Sequence, residues 1–261
     1  MLQQALFGNT TNSTLPGKRP IPGAVYETSG RAREYRELAC NLYVGCDHRC
    51  RYCYVPTIAG KLAGMTESPR PRQGILEEVR KSAKAMAEMG DTRQVLFSFL
   101  SDPYQEANCT HGLTRRAIAI LHDWGIPVCI LSKGGHRAMA DLDLLGPGDS
   151  MAATLTFLDD VRSQEWEPGA APPEERLEVL EAAHARHIPT WVSIEPVIDP
   201  RQSLACIQIS HKFVDEYKIG IMNYMAEGKG VDWPKFGHAA VALCDRLGKA
   251  YYLKHDLRKL M

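Results

Sequence analysis

Two hydrophobic periods alternate along this chain. Short, nearly unbroken apolar runs predict buried strands at Leu38–Val44, Val95–Leu100, Val128–Leu131, Met151–Phe157, Thr190–Ile194 and Phe213–Met222, with a last short one at Tyr251–Leu253. Between them, apolar residues three and four apart predict helices. Ile75, Val79, Ala83, Met86 and Ala87 form the clearest stripe, and Gly90 ends it. Further helices are predicted at Leu113–Trp124, Arg137–Leu145, Glu174–Arg186, Leu204–Ser210 and Trp233–Leu247. Strand then helix, about six times over with short connections, predicts a parallel sheet with helical crossovers, an α/β fold. No linker interrupts the alternation, so one domain over 38–261 is expected. Six units fall short of the eight of a closed barrel.

Residues 1–37 break the pattern. Asn9–Thr14 is polar, and Pro16, Pro20 and Pro22 with Gly17 and Gly23 disfavour regular elements. An irregular N-terminal extension is the expectation. Residues 60–74 read as a Pro/Gly/Arg loop.

Composition changes this picture little. The chain has 261 residues, 44% apolar and 24% charged, which suits one large soluble domain. Lys and Arg total 31 and so do Asp and Glu, so no global field draws the chain to nucleic acid or an anionic surface. Local basic groups remain at Arg31, Arg33 and Arg36, at Arg70 and Arg72, and at Lys254, Arg258 and Lys259. No apolar run reaches the ~18 residues that span a membrane, so no membrane partner is expected. Met1–Gln4 lacks the order of an export signal. Eight cysteines in so long a chain then point to a reducing cytoplasm rather than to disulfides.

Three of those cysteines change the picture most. Cys46, Cys50 and Cys53 have C-x3-C-x2-C spacing, between the first predicted strand and a loop opened by Val55-Pro56. Three thiolates so close suit one soft metal centre. An iron–sulfur cube normally takes four cysteines, and no fourth follows nearby. A structural zinc knuckle pairs C-x2-C with a second pair further on, which is also missing. A three-cysteine clamp leaves one iron open to an outside ligand.

This motif, followed by the aromatic Tyr54, resembles the signature of the radical SAM superfamily. The resemblance implies a [4Fe–4S] cluster whose open iron chelates the amino and carboxylate groups of S-adenosylmethionine (SAM). It implies that one electron cleaves the sulfonium and that the resulting 5′-deoxyadenosyl radical takes a hydrogen atom from the substrate. It also implies an open, partial (β/α)6 barrel over about residues 38–225, and a small flavodoxin- or ferredoxin-type protein as electron donor.

The predicted strand ends sharpen the resemblance, because ligands sit at the carboxyl ends of parallel strands. Ser101-Asp102-Pro103-Tyr104-Gln105 follows the second strand and Ser132-Lys133-Gly134-Gly135 the third. Thr154 and Thr156 lie on the fourth, Glu195 follows the fifth, and Asn223 the sixth. The pattern is similar to the spore photoproduct lyase-like branch of radical SAM proteins. By that resemblance Ser101 hydrogen-bonds SAM, Lys133 pairs with its carboxylate, and Thr154 or Thr156 holds its methionine or ribose part. Tyr54 lies against the adenosyl group, and Tyr52 packs or relays an electron and a proton. Asp102, Tyr104, Gln105, Glu195 and Asn223 are the candidates to bind a polar substrate or act as acid or base. His48 reads as a loop residue near SAM.

One departure matters. Spore photoproduct lyases carry a Cys just before the Ser-Asp pair, as hydrogen-atom donor. Here the stretch is Ser98-Phe99-Leu100-Ser101-Asp102, with Phe99 at that position. Standard thymine-dimer repair is therefore not implied. Cys40, Cys129, Cys206 and Cys244 sit in apolar contexts and read as small hydrophobes. Three readings stay open: a radical SAM enzyme acting on a nucleobase or nucleotide in DNA, the same chemistry on a free small molecule or peptide, and a noncatalytic iron–sulfur or zinc protein.

Overall fold

A computed structural model describes residues 20–58, 69–223, 225, 228 and 230–261. Most of the polar leader (1–19) and of the Pro/Gly/Arg loop (60–68) lie outside the described residues. Strand β1 (Tyr26–Glu27) pairs antiparallel with β2 (Leu38–Cys40). A separate antiparallel pair is formed by β3 (Tyr43–Val44) and β4 (Arg70–Pro71). β5 (Val95–Phe97), β6 (Val128–Ser132), β7 (Ser150–Thr154), β8 (Thr190–Ile194), β9 (Glu216–Ile219) and β10 (Ala250–Leu253) complete the main sheet. Its order is β1-β2-β5-β6-β7-β8-β9-β10, and every pairing from β2 onward is parallel. The expected α/β architecture is present as an open, partial barrel with helical crossovers.

The alternation of side chains explains the layers. Leu38 and Cys40, Val95 and Phe97, Val128 and Ile130, Met151 and Ala153, and Val192 and Ile194 face the helices, packing with Val79, Leu121 and Val179. The intervening Ala39, Leu96, Cys129, Leu131, Ala152 and Trp191 form a second cluster on the concave face. Both faces are buried, so these strands read as continuous apolar runs. Trp191 fills the concave interior, with Arg36 and Lys218 against its ring at 5.5 and 5.1 Å.

Helices start where a side chain caps them. Asp159 accepts from Arg162 N, Asp199 from Arg201 N and Gln202 N, and Asp232 from Lys235 N. Four short helices, Val55–Ile58 (where a loop was expected), Glu106–His111, Asp160–Trp166 and His255–Arg258, were not expected, because each is too short to show a period. The expected strand Leu38–Val44 is two pieces. Asn41 breaks it by turning its side chain inward, accepting from Leu100 N at 2.7 Å and donating to Tyr26 Oη at 2.9 Å. The expected strand Val95–Leu100 stops at Phe97, since Phe99 turns to φ 95°.

The open side of the barrel is bridged by side chains. A 3-10 turn, Gly30–Glu34, lies between the edge strands. Lys218 Nζ donates to Glu34 O and Tyr35 O, at 3.1 and 2.8 Å. Glu34 Oε1 accepts from Tyr252 Oη and His255 N, and Arg31 Nε donates to Asp256 Oδ2 at 2.6 Å. The described part of the expected irregular extension thus carries a strand and a turn docked against the last strand. No helix among the described residues is long and apolar enough to cross a membrane.

Candidate active site at the strand ends

A cavity of about 890 Å³ opens at the carboxyl ends of the strands. Cys46, Cys50, Cys53, Tyr52, Tyr54, Ser101, Asp102, Lys133, Thr154, Glu195 and Asn223 all line it. Residues drawn from six strand ends therefore meet in one place, which their separation along the chain does not require.

The cysteine loop is held from two sides. Gln105 accepts from Asp47 N and donates to Gly45 O. On the other side Trp166 O accepts from Arg51 N at 2.8 Å, and Gly169 N donates to His48 O at 2.9 Å. Gly169 is required here: a Cβ would lie 2.1 Å from Asp47 O. Arg51 also lies over the Trp166 ring, 4.7 Å from its centroid.

Asp102 is the hub beneath this loop. Oδ1 accepts from Tyr104 N (2.8 Å) and Ser132 Oγ (2.6 Å), and Oδ2 from Lys133 N (2.8 Å). Burial raises its pKa, but His48 where its ring is protonated, the Lys133 ammonium and the Ser132 and Lys133 donors outweigh burial and hold the carboxyl below its usual value. His48 is fully buried, and burial lowers its pKa to about 4, so the ring is neutral. Arg137 Nη2 donates to its Nε2 at 3.2 Å, which leaves the ring proton on Nδ1, 3.5 Å from Asp102 Oδ2.

A second buried network backs Tyr52. Its hydroxyl donates to Glu167 Oε1, and Glu167 Oε2 pairs with Arg176 Nη1 at 2.6 Å. Arg176 also donates to Ala171 O and to Thr154 O, at 2.8 and 3.0 Å. Lys133 stands between the two networks. Burial pulls its pKa down, but Cys50 once it is a thiolate, together with the carboxylates of Glu167 and Asp102, more than compensates, so it stays an ammonium.

The residues fit an iron–sulfur cube. Burial pushes the thiols of Cys46 and Cys50 up to about 12, so stable thiolates there need a cation to bind. Cys46, Cys50 and Cys53 open on one cavity, and in a cube each thiolate binds its own corner iron.

Three expected residues stand apart from the cavity, one of them Gln105, which is fully buried and spends its amide on Asp47 N and Gly45 O. Tyr104 is buried and donates to Asp141 Oδ2 at 2.9 Å. Thr156 is fully buried, and its hydroxyl has no partner among the described residues. Four site residues were missed: Glu167, Arg176, Tyr35 and Lys254. Lys254 directly follows the last strand, so extending the strand-end rule to β10 would have found it. Tyr35 and Glu167 lie in irregular segments with no period to mark them.

With this geometry in place, comparison with known proteins gives the class. A family model described as the radical SAM superfamily matches residues 40–214, about two thirds of the chain. The chain belongs to that superfamily, whose members are enzymes using a [4Fe–4S] cluster and SAM. Among curated proteins it is 27% identical over 168 residues to Rv2578c of Mycobacterium tuberculosis, a match covering 60% of this chain and 48% of that protein. It is 24% identical over 199 residues to ORF301 of Acidianus two-tailed virus, covering 70% and 64%. The chain thus spans about half the length of the mycobacterial relative. Among solved structures the fold is similar to spore photoproduct lyase complexed with dinucleoside spore photoproduct. That match has TM-score 0.68 and 14% identity and covers 87% of this chain and 79% of that one. It is also similar to Streptococcus suis SuiB bound to S-adenosylmethionine, with TM-score 0.63, 8% identity, and 83% and 50% coverage.

Proposed function

We propose that this chain is a radical SAM enzyme that takes a hydrogen atom from a nucleobase or nucleotide in DNA, modifying or rearranging it. The carrying observation is one cavity lined together by Cys46, Cys50 and Cys53, by Lys133, and by the polar Glu195 and Asn223. When bound, the cluster and SAM supply the 5′-deoxyadenosyl radical. The chain's own residues bind, orient and shield. Lys133, held as an ammonium, is placed to take the SAM carboxylate as a point charge. Ser101 and Thr154 offer hydroxyls on the same wall. Tyr54, whose hydroxyl donates to Phe99 O at 3.1 Å, presents its ring to the adenosyl part.

A base as substrate is supported by the likeness to spore photoproduct lyase, which is known in complex with a dinucleoside. Thymine-dimer repair by a thiol donor is not part of the proposal. Phe99, at the position before Ser101-Asp102 where the resemblance implies a cysteine, lines the cavity, and no cysteine beyond the three of the loop lines it among the described residues. A small flavodoxin- or ferredoxin-type protein is the proposed electron donor.

The test is anaerobic incubation of reduced, cluster-loaded protein with SAM and thymidine-containing DNA. The expected result is 5′-deoxyadenosine that gains deuterium only from labelled DNA. Equal, slow formation with and without DNA would move the substrate to free small molecules or peptides. No formation with an intact cluster would leave a noncatalytic iron–sulfur protein.

A further inference from the structure

A buried polar chain runs from the cysteine loop into the protein. Tyr52, between Cys50 and Cys53 in sequence, donates its hydroxyl to Glu167 Oε1, and Arg176 Nη1 holds Glu167 Oε2 at 2.6 Å. The carboxylate therefore stands between the loop tyrosine and the guanidinium. Arg176 also donates away from the loop, to Ala171 O and Thr154 O. Both charges are buried, so water screens them little.

Holding Tyr52 does not require this pair. A neutral amide would accept from the same hydroxyl without the cost of two desolvated charges, and a buried ion pair is weak evidence for stability. Its placement at the cysteine loop supplies another reason. Among charged partners, those that act most on the Cys50 sulfur are Lys133, then Glu167, with Arg176 weaker than either. Glu167 thus outweighs its own partner there, as its place between Tyr52 and Arg176 requires: the pair turns its negative end to the loop. Lys133, whose Nζ lies 6.0 Å from the Tyr52 ring centroid, opposes it. Glu195 also lines the cavity, but it accepts from both Lys254 Nζ and Tyr35 Oη and is not among the leading charges at Cys50.

We infer that Glu167, held by Tyr52 and Arg176, places a fixed negative charge beside the Cys50 thiolate and keeps the reduction potential of the bound cluster low. An electron entering a cluster adds negative charge, so a buried carboxylate near a ligand sulfur disfavours its arrival and makes the reduced cluster a stronger electron donor. Lys133 pulls the other way. Glu167 is a positioning residue in this account: it acts through Cys50 and touches no reacting atom. The inference rests on the reading of Cys50 as a cluster ligand and is independent of the substrate.

The test is the midpoint potential of the reconstituted cluster, read by EPR in an anaerobic redox titration without SAM or substrate. Iron content is measured first for each protein. Glu167→Gln keeps an acceptor for Tyr52 and removes the charge. It is expected to raise the reduced-to-oxidised ratio at a fixed potential about tenfold, an upward shift of about 59 mV for a one-electron couple. Lys133→Met removes the opposing charge and is expected to lower that ratio by at least as much. Glu167→Gln/Arg176→Met removes the pair together and is expected to raise it less than Glu167→Gln alone. Glu195→Gln, a charge removed elsewhere in the cavity, is expected to leave it unchanged. Opposite signs for Glu167→Gln and Lys133→Met separate charge from structure, because mere loosening of the loop does not reverse with the sign of the residue removed.

An unchanged potential in Glu167→Gln at full iron content would overturn the inference. So would a shift in the same direction as that of Lys133→Met, or one matched by Glu195→Gln. If wild type takes up no cluster, the reading of the three cysteines fails and this inference falls with it. If Glu167→Gln does not fold, the double variant, which leaves no lone buried guanidinium, decides by the direction of its shift.

Discussion

The two walls of the cavity are assembled from very different stretches of chain. The cysteine-side wall is held by contacts of short and middle range, which include Tyr52 to Glu167 across 115 residues. Asp102 reaches Ser132 and Lys133, only 30 and 31 residues on, across one helical crossover. The opposite wall joins chain ends. Tyr35 meets Glu195 across 160 residues, Lys218 meets Tyr35 across 183, and Arg31 meets Asp256 across 225. Closing such long loops costs conformational entropy that packing must offset. The first wall is thus a rigid mount suited to a resident cofactor. The second exists only when the N-terminal turn and the last strand are both docked, which suits the side that admits a substrate.

The largest expected effect breaks the cysteine-side wall. Cys46→Ala, Cys50→Ala or Cys53→Ala should each abolish cluster binding, read as iron content and visible absorption of anaerobically prepared protein. A variant that keeps its full iron would remove that cysteine from the site. The chain-end wall should survive, so the apo variant should remain folded by circular dichroism.

Next comes the buried pair behind Tyr52. Glu167 and Arg176 have side chains 0% and 1% exposed. Glu167→Ala leaves a buried guanidinium without its counter-charge, a change that costs about 3–5 kcal/mol. The measurement is thermal or denaturant unfolding against wild type. A loss below about 1 kcal/mol would mean that water reaches Arg176, and that the wall is less rigid than its contacts imply.

A smaller effect separates cofactor from cluster on the same wall. Lys133→Ala should weaken SAM binding by about 2 kcal/mol, roughly 30-fold, while the cluster stays intact. Unchanged SAM affinity would take Lys133 out of the cofactor site.

The same contrast explains what could be read before the fold was known. The parallel sheet was legible because strands buried on both faces write continuous apolar runs. Cys46, Cys50, Cys53, Ser101 and Lys133 were legible because a strand end is a position sequence can mark. Tyr104 shows the limit of that rule: it follows a strand end, yet its side chain turns into the core to meet Asp141. Asn41 was hidden because a strand break made by one side-chain hydrogen bond leaves no periodic trace. The chain-end wall was least legible. Tyr35 and Lys254 acquire their roles only through Glu195, and no local pattern couples positions so far apart.

The smallest effect probes how that distant wall is held. Lys218 ties the turn carrying Tyr35 to β9, and burial, helped by the nearby charge of Arg36, lowers its pKa to about 8. An unfolded lysine titrates near 10.5. Below pH 8 both states hold the proton, and the folded state bears the full cost of a buried ammonium. Between pH 8 and 10.5 the unfolded chain binds more protons than the folded one, so this group's contribution to stability rises with pH. Other groups titrate in that range, including tyrosines, and comparison with Lys218→Met subtracts them. The melting temperature of wild type minus that of Lys218→Met should therefore climb by about 2–4 °C from pH 7.5 to 9.5. A flat difference would mean that Lys218 is hydrated and keeps its ordinary pKa. The turn would then be held by Arg31, Glu34 and the Tyr35 hydroxyl on Glu195 without any cost of buried charge at Lys218, and the looseness of the chain-end wall would come from its long loops alone.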